Sequence, residues 1–187
     1  MYIRPSKEAE ESILKKKKGE KWIGIAPFSQ HKGKNWPIDY FVELIQTLLA
    51  STPEVSIFML GGRKEEERWQ VWIPNSVRIH SLAQDSFDTQ FAYLKQCDVL
   101  VCLDSSNFHL ANMLQIPTVS IWGSTHPSLG YGPFSLAENI VIQDDSLTCR
   151  PCTTYGKTAC FRGDFACLYQ IHPAQVWEEV QRILNKH

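Results

Sequence analysis

No stretch of this 187-residue sequence approaches the roughly 20 consecutive apolar residues that span a bilayer. The N-terminus also lacks the apolar core of a signal peptide. The expectation is a cytosolic chain without a transmembrane segment. Charge of one sign is missing too. Nineteen Lys and Arg against twenty Asp and Glu leave a formal charge of −1, so no global field draws nucleic acid or an anionic membrane. The G-x-G-x-x-G fingerprint of dinucleotide folds is absent from the turn after the first strand, which reads A-P-F-S-Q-H-K-G-K. That sets aside a nicotinamide-dependent dehydrogenase. There is no internal repeat, and the only biased segment is the lysine run at 15–18.

What is present suits one well-buried domain: 43% of residues are hydrophobic and 21% charged. Residues 7–18 read as a charged helix, with glutamates early, lysines late and Gly19 as a stop. From residue 22 onward, strands and helices alternate. Residues 22–27 form a first strand, followed by a polar loop at 28–36 and a helix with Phe41, Leu44, Ile45 and Leu48 on one face. Residues 55–60 are a second strand, and Gly61-Gly62 with three glutamates opens the next helix. A weaker third strand at 77–82 precedes a helix with Phe87, Phe91 and Leu94 at i, i+4 and i+7.

The organising segment is 97–127. An apolar run, Val99–Leu103, turns polar at Asp104-Ser105-Ser106-Asn107, and a short helix and a fifth strand follow. A sixth, short strand is read at 139–143, and an amphipathic helix at 173–186 closes the chain. This rhythm predicts an α/β fold: a Rossmann-like, mostly parallel sheet in the order 3-2-1-4-5, with helices on both faces. Strands one and four are then neighbours, and ligands bind in the crevice at such a topological switch point. The loops after them bring to that crevice Lys34 and His109, the hydroxyls of Ser29, Ser105 and Ser106, the carboxylate of Asp104 and the N-terminal amides of a helix. Such a set suits a diphosphate flanked by a polyhydroxylated group. Taken singly, Asp104 or Ser105 reads as an N-cap, His109 as a structural histidine and Lys34 as a surface lysine. Their joint placement at one edge is what points to a site.

Four motifs in order, K-N-W-P at 34–37, G-G-R-K-E-E-E-R at 61–68, D-S-S-N-F-H-L-A at 104–111 and I-P-T-V-S-I-W-G-S-T-H-P at 116–127, make the chain resemble the heptosyltransferases. These are inverting GT-B glycosyltransferases that extend lipopolysaccharide cores from ADP-heptose. The likeness is to the C-terminal, donor-binding half and covers most of the chain from Trp22 onward. It implies a division into a linker or helix remnant at 1–20 and a nucleotide-sugar-binding domain at 21–187. It implies that Ser29 and Lys34 contact the diphosphate, that Glu65 or Glu66 holds the ribose, that Asp104 meets the sugar, and that Ser105, Ser106 and His109 surround the phosphates. Lys34 would stabilise the leaving group. The catalytic base would be an aspartate of an N-terminal domain not in this chain, which would then be inactive alone. No cofactor is implied for catalysis. The lipopolysaccharide core acceptor would reach the site through the missing domain, with the full-length protein cytoplasmic and peripheral at the inner membrane. One departure is Ser106, where the family commonly has glycine. A side chain there narrows the phosphate site or marks a different donor sugar.

Six cysteines in a cytosolic chain of this size are no disulfide framework. Cys97 and Cys102 flank or sit in the buried fourth strand and read as inert core thiols. Cys149, Cys152, Cys160 and Cys167, in a loop at 147–168, read as a structural tetrathiolate zinc site, as free or packed thiols, or as disulfides. Two alternatives stand beside the glycosyltransferase reading: a nucleotide-sugar epimerase-like enzyme, which needs its own acid and base, and a non-catalytic binding module with a zinc knuckle.

Overall fold

The computed structural model describes residues 4–16 and 18–186. Six strands, β1 Lys21–Ala26, β2 Val55–Met59, β3 Ile79–Ser81, β4 Val99–Leu103, β5 Thr118–Trp122 and β6 Asn139–Gln143, form one sheet in the order β3-β2-β1-β4-β5-β6. Every neighbouring pair is parallel. Residues of β2, β4 and β5 are buried throughout, because each strand has helices over both faces and needs apolar side chains on both.

The helices are α1 Lys7–Ser12, α2 Ile38–Ser51, α3 Arg63–Trp69, α4 Phe87–Gln96, α5 Ser106–Leu114, α6 Ala166–Tyr169 and α7 Pro173–Leu184. Strand periodicity divides the core into two layers. Ile23 and Ile25 of β1 face Leu44, Ile45 and Leu48 of α2 and Val176, Val180 and Ile183 of α7. Trp22 and Ala26 face the other way, toward Phe91's neighbours Ala92 and Leu94 of α4 and Phe108 and Ala111 of α5. The chain runs outward from β1 to β3 and then returns to β4. The switch point therefore falls between β1 and β4, as the sequence predicts, with β6 added beyond β5.

Three local expectations are corrected. The charged helix expected over 7–18 ends at Ser12. Ile13 is extended and buried in the core, and the Leu14 N–H donates to the Tyr93 hydroxyl at 3.3 Å, so tertiary contacts pull the chain off the helix. Lys16 of the lysine run pairs with Asp98 at 2.5 Å, and Lys17 lies outside the described residues. The third strand shrinks to Ile79–Ser81, leaving Val77 94% exposed, since only three of its residues pair with β2. Phe87, expected on the apolar face of α4, is 65% exposed while Phe91 and Leu94 are buried. It occupies the first turn, beyond the reach of the core.

Candidate functional site

The loop after β1 is held by its own side chains. Asn35 Oδ1 accepts the Ser29 N–H at 2.7 Å, and Asn35 Nδ2 donates to the carbonyls of Ser29 and His31, both at 3.0 Å. Trp36 is buried and its indole N–H donates to the Ile171 carbonyl at 2.9 Å. Residues 32–34 make one tight helical turn that carries Lys34 inward. Lys34 Nζ lies 2.8 Å from Asp104 Oδ2, with the two side chains only 13% and 3% exposed. This lysine is no surface residue.

Asp104 directly follows β4 and joins three loops. Its Oδ2 also accepts from Thr125 Oγ1, in the turn after β5, at 2.7 Å. Its carbonyl accepts from Ser29 Oγ at 3.1 Å. A buried carboxylate is tolerated when a cation and a hydroxyl satisfy it in this way. Next in sequence, Ser105 has the extended backbone of an N-cap, yet its hydroxyl caps no amide, and its buried Oγ has no hydrogen-bond partner among the described residues. The start of α5 thus keeps its amides for something else. Ser106 is exposed at the first helical position. His109, one turn in, is half-buried; burial pushes its imidazole below the ordinary histidine value, with Asp104 pulling up and Lys34 pushing down.

The two glutamates of α3 separate. Glu65 reaches back to accept the Gly62 N–H at 2.7 Å and lines the crevice. Glu66 is buried against Ser81 Oγ and Gln84 Nε2, the latter at 2.6 Å. These two hydrogen bonds, the serine first, hold its carboxyl below the usual range despite burial. The structure places Glu66 away from the crevice, in the packing of α3 on the β3 end. Gly61 is required beside them, because at φ 152° a Cβ would come within 2.6 Å of the Glu65 carboxylate.

These residues enclose one crevice of about 1110 Å³ at the carboxyl edge of the sheet. Ser29, Lys34, Glu65, Asp104, Ser105, Ser106 and His109 all line it. It is completed by residues that sequence reasoning missed: Phe28, Arg68, Phe87, Tyr131, Tyr155 and Lys157. The Arg68 guanidinium lies 3.9 Å from the Phe28 ring centroid, and Phe28 stacks on Trp69. Thr125 was missed as well. Its position in G-S-T-H-P, at the carboxyl end of a strand next to β4, was the signal that could have found it.

The cysteine-rich loop closes the remaining side. Arg150 donates to the carbonyls of Gly123 at 2.5 Å and of Trp122, Thr125 and Asp144, each at 3.0 Å, and to Gln143 Oε1 at 3.2 Å. It thereby clamps the loop onto the ends of β5 and β6. Gly156, at φ 82°, packs so tightly on the stem of Lys34 that a Cβ would lie 2.8 Å from its Cγ. All six cysteines are free thiols. Burial raises Cys97 and Cys102, as expected of core thiols, and raises Cys152 and Cys167, the latter to about 11. Burial acts the same way on Cys160, but amides of Phe165, Gly163 and Arg162 outweigh it and hold that thiol down. The loop brings Cys149, Cys152, Cys160 and Cys167 into one neighbourhood. Among the described residues, however, no group of three or more His, Cys, Asp or Glu side chains is arranged to hold a metal ion. No helix of the described residues is long and apolar enough to cross a membrane.

A buried cation, an uncapped helix N-terminus and converging hydroxyls at a switch point are groups of the kind that can hold an anion. Comparison with known proteins bears on the fold and the family. Lipooligosaccharide heptosyltransferase 2 from Campylobacter jejuni strain 81116 is 24% identical over 172 residues, which are 89% of this chain and 52% of that protein. The solved structure of Escherichia coli ADP-heptose lps heptosyltransferase II superposes with a TM-score of 0.76 at 21% identity, covering 99% of this chain and 54% of that one. A glycosyl transferase family 9 protein from Veillonella parvula gives 0.75 at 18% identity, covering 100% and 54%. An E. coli heptosyltransferase solved with ADP gives 0.69 at 19% identity, covering 92% and 47%. The chain spans about half the length of the relatives it matches, and its fold is that of half a GT-B heptosyltransferase. The family model for glycosyltransferase family 9 (heptosyltransferase) matches residues 3–160, and the chain belongs to that family.

Proposed function

We propose that this chain is the donor-binding half of an inverting glycosyltransferase of lipopolysaccharide core synthesis and takes a nucleotide sugar of the ADP-heptose kind. The observation that carries this reading is the buried Lys34–Asp104 pair beside the uncapped N-terminus of α5. The diphosphate would lie along α5, with Lys34, Ser105, Ser106 and the neutral imidazole of His109 as donors to its oxygens. Glu65, which lines the crevice, would meet the ribose. Both contacts of the Asp104 carboxylate converge on Oδ2, which leaves Oδ1 for sugar hydroxyls.

In direct displacement, the acceptor oxygen bonds to the anomeric carbon while the bond to the diphosphate breaks. The leaving group departs with the electron pair toward Lys34 and the helix amides, which stabilise its developing charge. A base must take the acceptor proton. The acidic side chains lining the crevice are Glu65, engaged at Gly62, and Asp104, paired with Lys34. The family resemblance implies that this base is an aspartate of another domain, so that the present chain binds donor without turning it over. Calorimetry with ADP, UDP and GDP tests the reading. Heat with ADP and no transfer by the chain alone is expected; silence with all three nucleotides, or turnover by the chain by itself, overturns it.

A further inference from the structure

Ser124 and Thr125, in the turn after β5, are 4% and 0% exposed and do not line the donor crevice. Each nevertheless holds one member of the Lys34–Asp104 pair. The Ser124 hydroxyl and N–H both donate to the Gly33 carbonyl, at 2.8 and 2.9 Å, and Gly33 precedes Lys34 in the turn that carries it inward. The two turns meet backbone to backbone: a Cβ on Gly123 would lie 2.6 Å from the Gly33 carbonyl oxygen, and one on Gly33 would strike the Ser124 hydroxyl. The Thr125 hydroxyl donates to Asp104 Oδ2 at 2.7 Å, the same oxygen that Lys34 Nζ meets at 2.8 Å. From behind, Arg150 donates to the Thr125 carbonyl at 3.0 Å and the Cys152 N–H to the Ser124 carbonyl at 3.1 Å. The turn is thus tied to the loop at one side and to the ion pair at the other.

The torsion that orients the oxygens of an aspartate has only broad preferences of its own, so hydrogen bonds must set it. Lys34 is a poor fixed point, because its long side chain has to serve a phosphate as well. Thr125 is a good one, since it is buried and β-branching stiffens it about χ1. We propose that Ser124 and Thr125 are positioning residues with separate tasks. Ser124 sets the turn that aims Lys34 at the diphosphate. Thr125 keeps hold of Asp104 Oδ2 when the diphosphate draws Lys34, so that Oδ1 stays toward the sugar of the donor. The inference rests on the glycosyltransferase reading, because the two tasks divide as the diphosphate and the sugar do.

The test is calorimetry of the chain with ADP and with ADP-heptose. Thr125→Val keeps the shape of the side chain and removes the hydroxyl; it should weaken ADP-heptose about five-fold and leave ADP affinity in place. Thr125→Ser, which returns the hydroxyl, should recover most of that loss. Ser124→Ala should weaken both ligands by the same factor and leave their ratio unaltered. Because Thr125 acts through Asp104, adding Thr125→Val to Asp104→Asn should change the donor preference no further, whereas independent contacts would add. Equal losses of the two ligands in Thr125→Val, no loss at all, or additivity with Asp104→Asn overturns the role of Thr125. A changed ratio in Ser124→Ala overturns the division of tasks. Thr125→Ala stands in, with the same expected outcomes, should the valine variant not fold. ADP binding without any preference for ADP-heptose in the parent chain overturns this inference alone; failure of ADP itself to bind overturns the glycosyltransferase reading and this one with it.

Discussion

On one side of the crevice, Ser29, Lys34, Asp104 and the start of α5 sit in turns that leave β1 and β4 directly. On the other, Tyr131, Tyr155 and Lys157 come from long loops that reach the crevice only because Arg150 and Gly156 hold them there. The first wall follows from a general rule, that parallel strands deliver their turns to one edge. The second depends on contacts between residues far apart in sequence. A wall of the first kind tolerates change in its neighbours, whereas one of the second kind transmits it.

The largest effect should come from breaking the ion pair where the walls meet. Asp104→Ala strands a nearly buried ammonium, and denaturant unfolding should show a loss of about 3 kcal/mol or more. Lys34→Ala should do similar harm and abolish measurable ADP binding. Because the two side chains form one unit, a double-mutant cycle should show strong coupling. Fully additive losses would mean that they act separately. Next comes the clamp. Arg150→Ala removes donors from carbonyls at the ends of β5 and β6 and should cost roughly 2 kcal/mol, with Arg150→Lys recovering only part. Gly156→Ala, strained by its φ and crowding Lys34, should lose about 1 kcal/mol and weaken ADP binding as well. Normal ADP affinity in both clamp variants would show the second wall to be passive.

The adjacent glutamates sharpen the comparison at a smaller scale. Glu66→Gln should lower stability by about 1 kcal/mol while the folded protein keeps its nucleotide affinity. Glu65→Gln should weaken nucleotide binding with little loss of stability. The reverse outcome would exchange their roles.

The smallest effect is on pH dependence. Burial lowers both His80 and His109 below the ordinary value of 6.5, so the unfolded chain binds more protons than the folded one. Their contribution to stability is therefore complete above about pH 6.5 and is lost as pH falls below it. Urea midpoints at pH 7.5 and 5.5 should differ, and replacing both histidines by glutamine should reduce the difference. Glu66, held low by Ser81 and Gln84, adds its own loss only below its ordinary 4.5. Since His109 is neutral at pH 7, ADP affinity should change little between pH 7 and 8 and rise on the acid side, where a bound dianion favours the imidazolium.

Most of the fold and one wall of the site were legible in the chain. The apolar runs at 55–60 and 99–103 read as strands, the second as one covered on both faces, and the polar break at Asp104-Ser105-Ser106 reads as a turn into α5. The order 3-2-1-4-5 is that of the Rossmann-like sheet which the alternation of strands and helices predicts, and β6 extends it beyond β5. What escaped was whatever a neighbour decides. Glu65 and Glu66 look equivalent in the sequence, but α3 turns one toward the crevice and the other onto Ser81 and Gln84. Phe87 fits the apolar repeat of α4 but overhangs the core. Ile13 lies in a charged helical pattern, yet it is drawn out of the helix into a buried position. Period and spacing are local and survive in one dimension, so the sequence by itself determined the sheet, its direction and the edge where ligands gather. Which face a side chain finds, and which cation meets which carboxylate, depend on elements that touch only after folding. The Lys34–Asp104–Thr125 junction and the Arg150 clamp were therefore decided by the tertiary structure alone.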